Sequence, residues 1–253
     1  VGLLNSFEQV AAILGAKEQP AVLCLQDIRI SKQQKEGMKA WIESAFPYKV
    51  FITIAGKAVH GRHNGAPRPY WMGVMTCLHT HVFRGGRGFT LETTSSGSRR
   101  CRHAADGRTL IVCATPHNVQ DITIYNVYQH TADNSRRRGE LWHQLGQHIG
   151  KNRDRKVLLG DLNCSPNLRR GYSDRNTSRR DAADKELLAF IEATSANWTP
   201  AAGPTWRNLA GSQRATLDHM LTWGLNYEHE PVARWPGANP SSNLGMRNAS
   251  HDH

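Results

Sequence analysis

Acidic residues in this sequence fall at the ends of apolar, strand-like runs. Leu23-Cys24-Leu25-Gln26-Asp27 carries an acid directly after a short apolar run. Leu158-Leu159-Gly160-Asp161-Leu162-Asn163 sets Asp and Asn two residues apart, which an extended chain directs to one face. Ala215-Thr216-Leu217-Asp218-His219-Met220-Leu221 holds an acid inside an apolar stretch, and Ile124-Tyr125-Asn126-Val127-Tyr128 ends on a tyrosine. The sequence closes on Ser250-His251-Asp252-His253. A buried strand that finishes on a carboxylate needs a metal ion, a hydrogen-bond donor or water to meet it. Each residue alone also has a structural reading. Asp27 could cap the next helix, Asp161-Leu162-Asn163 could be a turn, and Tyr128 an ordinary strand aromatic. Asp218 could pair with Arg214, and His253 could be a frayed end. Caps and structural ion pairs are common, but together these residues point to one site.

The elements that must position them follow from periodicity. Leu3, Leu4, Phe7, Val10, Ile13 and Leu14 recur near a helical period over residues 2–15. Pro20 opens Ala21-Val22-Leu23-Cys24-Leu25, a continuous apolar run of the kind buried on both faces. Residues 31–45 read as a helix capped by Ser31, and Val50–Ile54 as a strand. Residues 55–70 are rich in Gly, His, Arg and Pro and read as loop. Strands are expected at Trp71–Leu78, His81–Phe83, Phe89–Thr93, Thr109–Ala114, Ile122–Tyr128, Lys156–Gly160 and Thr216–Thr222. Helices are expected over 133–149 and 182–193, with a polar, arginine-rich loop at 165–180 and a loop-like tail from 236 to 248. Many strands with few helices indicate one mixed-sheet α/β domain, because the uniform βαβ alternation of a doubly wound sheet is absent.

Composition narrows the class. The chain has 253 residues, enough to bury a core without disulfides or a structural metal. Its 32 Lys and Arg exceed its 21 Asp and Glu by 11, before any of 13 histidines protonates. Such a balance favours a polyanionic partner. Five cysteines, none in a Cys-x-x-Cys pair, argue against a disulfide framework or zinc site and for a reducing compartment. No run approaches the ~18 apolar residues of a membrane span. The N-terminus, Val1-Gly2-Leu3, has neither a starting Met nor a signal-peptide pattern, as expected of an excised domain.

The motif order resembles that of the endonuclease/exonuclease/phosphatase superfamily, the fold of pancreatic deoxyribonuclease and the exonuclease III-type apurinic endonucleases. Leu25-Gln26-Asp27, Gly73-Val74-Met75, Asn126-Val127-Tyr128, Gly160-Asp161-Leu162-Asn163, Leu217-Asp218-His219 and His251-Asp252-His253 carry the likeness, in the family's order and over nearly the whole chain. Their variation most resembles the endonuclease domains of LINE-type retrotransposons. The resemblance implies a four-layer α/β sandwich, two packed mixed sheets flanked by helices. It implies one domain over residues 1–253, cropped at its first and last strands and part of a longer polypeptide that could include a reverse transcriptase.

The resemblance also implies the roles. Asp27 would ligate Mg²⁺ or Mn²⁺ with help from Asp252, both being hard oxygen donors. Asp218 would accept a hydrogen bond from His253, fixing its tautomer, and either His253 or Asp161 would serve as base. Asn163 would orient water and phosphate, and Tyr128 would donate to the scissile phosphate. The implied reaction hydrolyses one DNA strand to 5′-phosphate and 3′-hydroxyl ends, inside the cell and in the nucleus for a retroelement protein, with no membrane partner. Three departures stand out. Asp27 replaces the family's Glu, the first-strand Asn before Gly2-Leu3 is missing, and Gln129-His130 replaces the Pro that usually follows Asn-x-Tyr.

Basic residues collect at Arg99-Arg100-Cys101-Arg102, Arg136-Arg137-Arg138, Lys151 to Lys156, and Arg169-Arg170 with Arg175, Arg179 and Arg180. By composition these are solvated faces; beside a phosphodiesterase site they become candidate phosphate-backbone contacts. Arg169, Arg170 and Arg175 follow Asp161 and Asn163 directly. Trp206 and Arg207 lie in a stretch that resembles a DNA-groove hairpin, though Trp206 reads equally as core. His60, His63, His79 and His81 lack a metal-site helix spacing and read as loop histidines. Two other functions fit the same residues: a phosphoesterase of this fold acting on a lipid or inositol phosphate, and a degenerate copy that binds nucleic acid without cutting it.

Overall fold

A computed structural model describes residues 7–63, 66–90, 107–151, 155–166, 177–198, 205–207, 214–215 and 217–225. The elements run α1 (Phe7–Leu14), β1 (Val22–Ile30), α2 (Lys32–Ala45), β2 (Tyr48–Ile54), β3 (Val59–His63), β4 (Ala66–His79), β5 (Phe83–Phe89), β6 (Thr109–Pro116), β7 (Ile122–Tyr128), α3 (Ser135–Lys151), β8 (Arg155–Asp161), α4 (Thr177–Thr194), β9 (Asn197–Trp198), β10 (Trp206–Arg207), β11 (Arg214–Ala215) and β12 (Asp218–Trp223).

Two sheets form the centre. In the first, β4 lies between β1 and β2 and also pairs with β3, all antiparallel. The second has the order β5-β6-β7-β8-β12-β9, with β7 and β8 its parallel pair. Val10 and Leu14 of α1 with Met38 and Ile42 of α2 cover the first sheet, against Ile28, Ile30, Val50 and Met75. Leu141, Trp142 and Leu145 of α3 with Leu187 and Phe190 of α4 cover the second, against Tyr125, Val127 and Leu158. Between the sheets, Val74 and Leu78 meet Leu110, Val112 and Ile124. Helices, sheet, sheet and helices make the four layers. No helix among the described residues is long and apolar enough to cross a membrane.

Local chemistry explains the boundaries that matter to the site. Ser31 starts α2 through a capping box: its hydroxyl accepts from Gln34 N at 3.1 Å, and Gln34 Oε1 accepts from Ser31 N at 2.8 Å. Asp27 is therefore not the cap. β1 instead continues past it to Ile30, with a bulge between Leu25 and Ile28. The stretch read as loop at 55–70 is largely a hairpin of β3 and the start of β4, because the pairing extends the ladder beyond the apolar core. The strand expected at His81–Phe83 lies at Phe83–Phe89, and residues 91–93 of the strand expected at Phe89–Thr93 lie outside the described residues. α4 begins at Thr177, inside the stretch read as loop.

Candidate active site

Three adjacent strands deliver their chemistry at one edge. β7 and β8 run parallel and finish in step, pairing Tyr128 with Asp161, while β12 begins opposite with Asp218 against Asp161. Tyr128, Asp161 and Asp218 thus form a row across three neighbouring strands, which are spaced about 4.8 Å apart. Gly160 permits the close approach, since a Cβ there would run into the Val127 carbonyl.

Asp161 is held from its own turn. Asn163 adopts a left-handed backbone, φ 49°, and its N–H donates to Asp161 Oδ1 at 2.9 Å. Short polar residues close such turns through their own side chains. Asn163 Nδ2 donates to Gln129 O at 2.7 Å, and Gln129 N donates to Asp161 O at 2.8 Å, so the ends of β7 and β8 are laced together. Burial, then the Asp218 charge, pushes the Asp161 carboxyl well above the usual carboxylate range. The Asn163 N–H opposes this and Asp27 adds to it. Asp218 opens to solvent, but the protein around it also raises its carboxyl. The Thr205 hydroxyl counteracts that, while accepting from Leu217 N and Asp218 N at 2.9 and 3.0 Å.

Tyr128 is 6 % exposed. Burial, followed by Asp27 and Asp161, raises its hydroxyl pKa, so the phenol keeps its proton at neutral pH. The Arg108 guanidinium lies 4.6 Å from the ring centroid, and its Nη1 donates to Tyr128 O and Gln129 O at 3.4 and 3.3 Å. Behind them Asn126, fully buried, joins the sheets. It accepts from Gln26 Nε2 at 2.8 Å and donates to Met75 O and Thr76 Oγ1 at 2.8 and 3.1 Å.

Asp27 rides on the β1 bulge with a left-handed backbone, φ 51°. That conformation suits Asp better than longer acids, because a short polar side chain tolerates it. Its carboxylate receives both arms of Arg29, Nη2 to Oδ2 at 2.8 Å and Nε to Oδ1 at 3.3 Å. Burial alone would lower the Arg29 pKa; the Asp27 hydrogen bond and charge outweigh it and raise it, with Tyr70 and Tyr128 adding.

The donors suit a hard divalent cation. Asp27 offers hard carboxylate oxygens, and the charges of Asp218 and Asp27 both raise the Asp161 carboxyl, a strain that a nearby cation would relieve. The described residues do not close into a ligand shell: no three His, Cys, Asp or Glu side chains gather around one point.

The structure thus brings Asp27, Tyr128, Asp161, Asn163 and Asp218 to one region. Asp252, His253, Arg169, Arg170 and Arg175 lie outside the described residues. Trp206 and Arg207 form β10, which pairs antiparallel with β11. Two sequence readings are corrected. Arg138 is buried and points inward, bonded to His130 O, Leu162 O at 3.3 Å and Glu186 Oε2 at 2.9 Å, so it braces the β7 and β8 ends instead of meeting phosphate. Lys156 is buried as well. Sequence reasoning missed Arg29, Arg108 and Thr205, and it quoted Asn126 in the Asn126-Val127-Tyr128 motif without its role in joining the sheets. Arg29 stands two residues past Asp27, and Arg108 precedes β6 next to the Thr109–Val127 pair, positions that a strand register would have exposed.

The sequence profile described as the Endonuclease/Exonuclease/phosphatase family matches residues 2–242. No curated protein matches the chain. An endonuclease/exonuclease/phosphatase family protein from Leptotrichia buccalis superposes with a TM-score of 0.55 at 16% identity, covering 90% of this chain and 84% of that one. A protein of the same description from Beutenbergia cavernae gives a TM-score of 0.58 at 16% identity, over 85% of this chain and 58% of that one. At such identity the likeness speaks to the fold.

Proposed function

The chain belongs to the endonuclease/exonuclease/phosphatase family, a family of hydrolases that are mostly metal-dependent phosphodiesterases, and on that footing we propose that it is a divalent-metal-dependent DNA endonuclease. It nicks one strand to leave 5′-phosphate and 3′-hydroxyl ends, as LINE-type retrotransposons do at their target sites. The observation that carries this reading is the row of Tyr128, Asp161 and Asp218 across β7, β8 and β12, with Asp27 close enough to raise the Asp161 carboxyl. The excess of 11 basic residues favours DNA over smaller phosphoesters.

Tyr128, protonated and flanked by Arg108, donates to a phosphate oxygen, a contact worth most as charge builds in the transition state. Asp161, with its raised proton affinity, takes the proton of the attacking water. Asn163 uses Nδ2 to hold Gln129, which leaves its Oδ1 to orient water. By the family resemblance, Asp218 would accept a hydrogen bond from His253. Asp27 and Asp252 would hold Mg²⁺ or Mn²⁺, which when bound would polarise a phosphate oxygen and stabilise the leaving alkoxide. Arg169, Arg170, Arg175, Trp206 and Arg207 contact the DNA backbone. A reverse transcriptase in the same polypeptide, acting in the nucleus, would extend the 3′-hydroxyl.

The test compares purified protein on plasmid DNA, on sphingomyelin and on a soluble inositol phosphate. Nicked plasmid that DNA ligase reseals is the expected product. Hydrolysis of either smaller substrate with intact plasmid would reject the DNA reading.

A further inference from the structure

Arg29 occupies Asp27, the one carboxylate among the described residues of the site with a left-handed backbone. The β1 bulge turns Asp27 out of the ladder at φ 51°, and Arg29, two residues on, forks onto both of its oxygens at 2.8 and 3.3 Å. The pair is well shielded, with side-chain exposures of 11% for Asp27 and 29% for Arg29. A neutral donor behind a metal-binding carboxylate fixes one oxygen and leaves the other free; such partners strengthen binding. A guanidinium engages both oxygens and brings a like charge to the ion's seat, so it competes.

Arg29 also has somewhere else to go. Its guanidinium lies 5.3 Å from the Tyr70 ring centroid on the neighbouring strand and is also near Tyr128. A phosphate donated to by Tyr128 would therefore arrive within reach of a planar, five-donor group that binds phosphate in the same forked manner as carboxylate.

Resting on the metal-dependent reading above, we propose that Arg29 is a resident counter-ion that guards Asp27, transferring to the substrate phosphate and so making metal and phosphate binding cooperative. With Asp27 paired, the ion meets one fewer free ligand and one nearby positive charge. A phosphate that draws Arg29 away removes both obstacles. By linkage, the ion then strengthens phosphate binding by the same factor.

Mn²⁺ binding, followed by the loss of the free-ion electron paramagnetic resonance signal with and without thymidine 5′-monophosphate, tests this without relying on turnover. Arg29→Gln should bind Mn²⁺ about tenfold tighter than the unaltered chain, a factor on the scale of outer-shell effects on metal affinity. Thymidine 5′-monophosphate should tighten Mn²⁺ binding to the unaltered chain and leave Arg29→Gln unmoved. Arg29→Lys, whose ammonium cannot fork, should fall between, and it decides the matter alone if Arg29→Gln does not fold. Mn²⁺ binding that is equal or weaker in the variants, or equal coupling to the nucleotide, overturns the guard. Mn²⁺ binding to none of the proteins overturns the guard together with the metal-dependent reading.

Discussion

Asp161 and Asp218 stand directly opposite each other across β8 and β12. Two carboxyls in one register position repel when both are ionised, and each is steadied by a separate device: the Asn163 N–H on one, the Thr205 hydroxyl on the other. The proton affinity of Asp161 rises in consequence, through burial first and Asp218 second. In the proposed mechanism, the strain between these carboxyls also supplies the base.

That strain predicts a trade of stability for activity. A carboxyl raised in the folded state costs nothing below its unfolded value of 3.8, where both states hold the proton. Stability is then lost as pH rises toward the folded value, because the folded chain binds more protons. Asp161→Asn should therefore raise the melting temperature at pH 8, by roughly 2–4 °C for each kcal/mol recovered, and have little effect on it at pH 3.5. The same variant should lower nicking about 10²–10⁴-fold. Calorimetry at the two pH values, beside a plasmid assay, checks both halves.

Asn126 is predicted to matter more for the sandwich than for the reaction. Its amide links β7 to Gln26 of β1 and to Met75 and Thr76 of β4. Asn126→Ala deletes these bonds and orphans buried partners, costing on the order of 2–4 kcal/mol. The readout is a fall in the urea midpoint with an unchanged slope.

Arg138 and Arg137 adjoin in sequence and should behave oppositely. Arg138 is buried between His130, Leu162 and Glu186, whereas Arg137 is exposed. Arg138→Ala orphans the buried carbonyls of His130 and Leu162 and leaves part-exposed Glu186 to solvent, and should cost on the order of 2–4 kcal/mol. Arg137→Ala should leave stability unchanged within about 0.5 kcal/mol. Parallel thermal melts of the two variants test the distinction.

The thiols divide by burial. Burial pushes Cys24 and Cys77 up to about 12, and also raises Cys164, whereas Cys113 is exposed. Iodoacetamide at pH 8 should modify Cys113 in the folded protein and reach Cys24, Cys77 and Cys164 only after unfolding. Mass mapping of the alkylated peptides gives the answer.

Much of this arrangement was legible in the sequence because the chemistry sits where strands end. Asp161, Asn163 and Tyr128 follow apolar runs whose burial forces their ends together, but β8 ends at Asp161, and it is a turn through left-handed Asn163, not an extended period-two face, that joins Asp161 and Asn163. Asp27 was legible as a candidate but not as part of a bulge, since an inserted residue leaves no mark on apolar periodicity. The partner of each carboxylate was hidden for a related reason. Arg29, Thr205 and Arg108 act through register and turn geometry, which adjacent letters do not encode. Arg138 looked like surface charge because its neighbours Arg136 and Arg137 are surface charge; helix periodicity alone turns it inward.

The most direct test of the central claim is nicking of supercoiled plasmid by the full chain with Mg²⁺, with Mn²⁺ and with chelator, beside Asp161→Asn and Tyr128→Phe. Metal-dependent conversion to open circles, lost with chelator and reduced about a hundredfold or more in Asp161→Asn, is the predicted result. Nicking that persists in chelator, or that Asp161→Asn performs as fast as the unaltered chain, would contradict it.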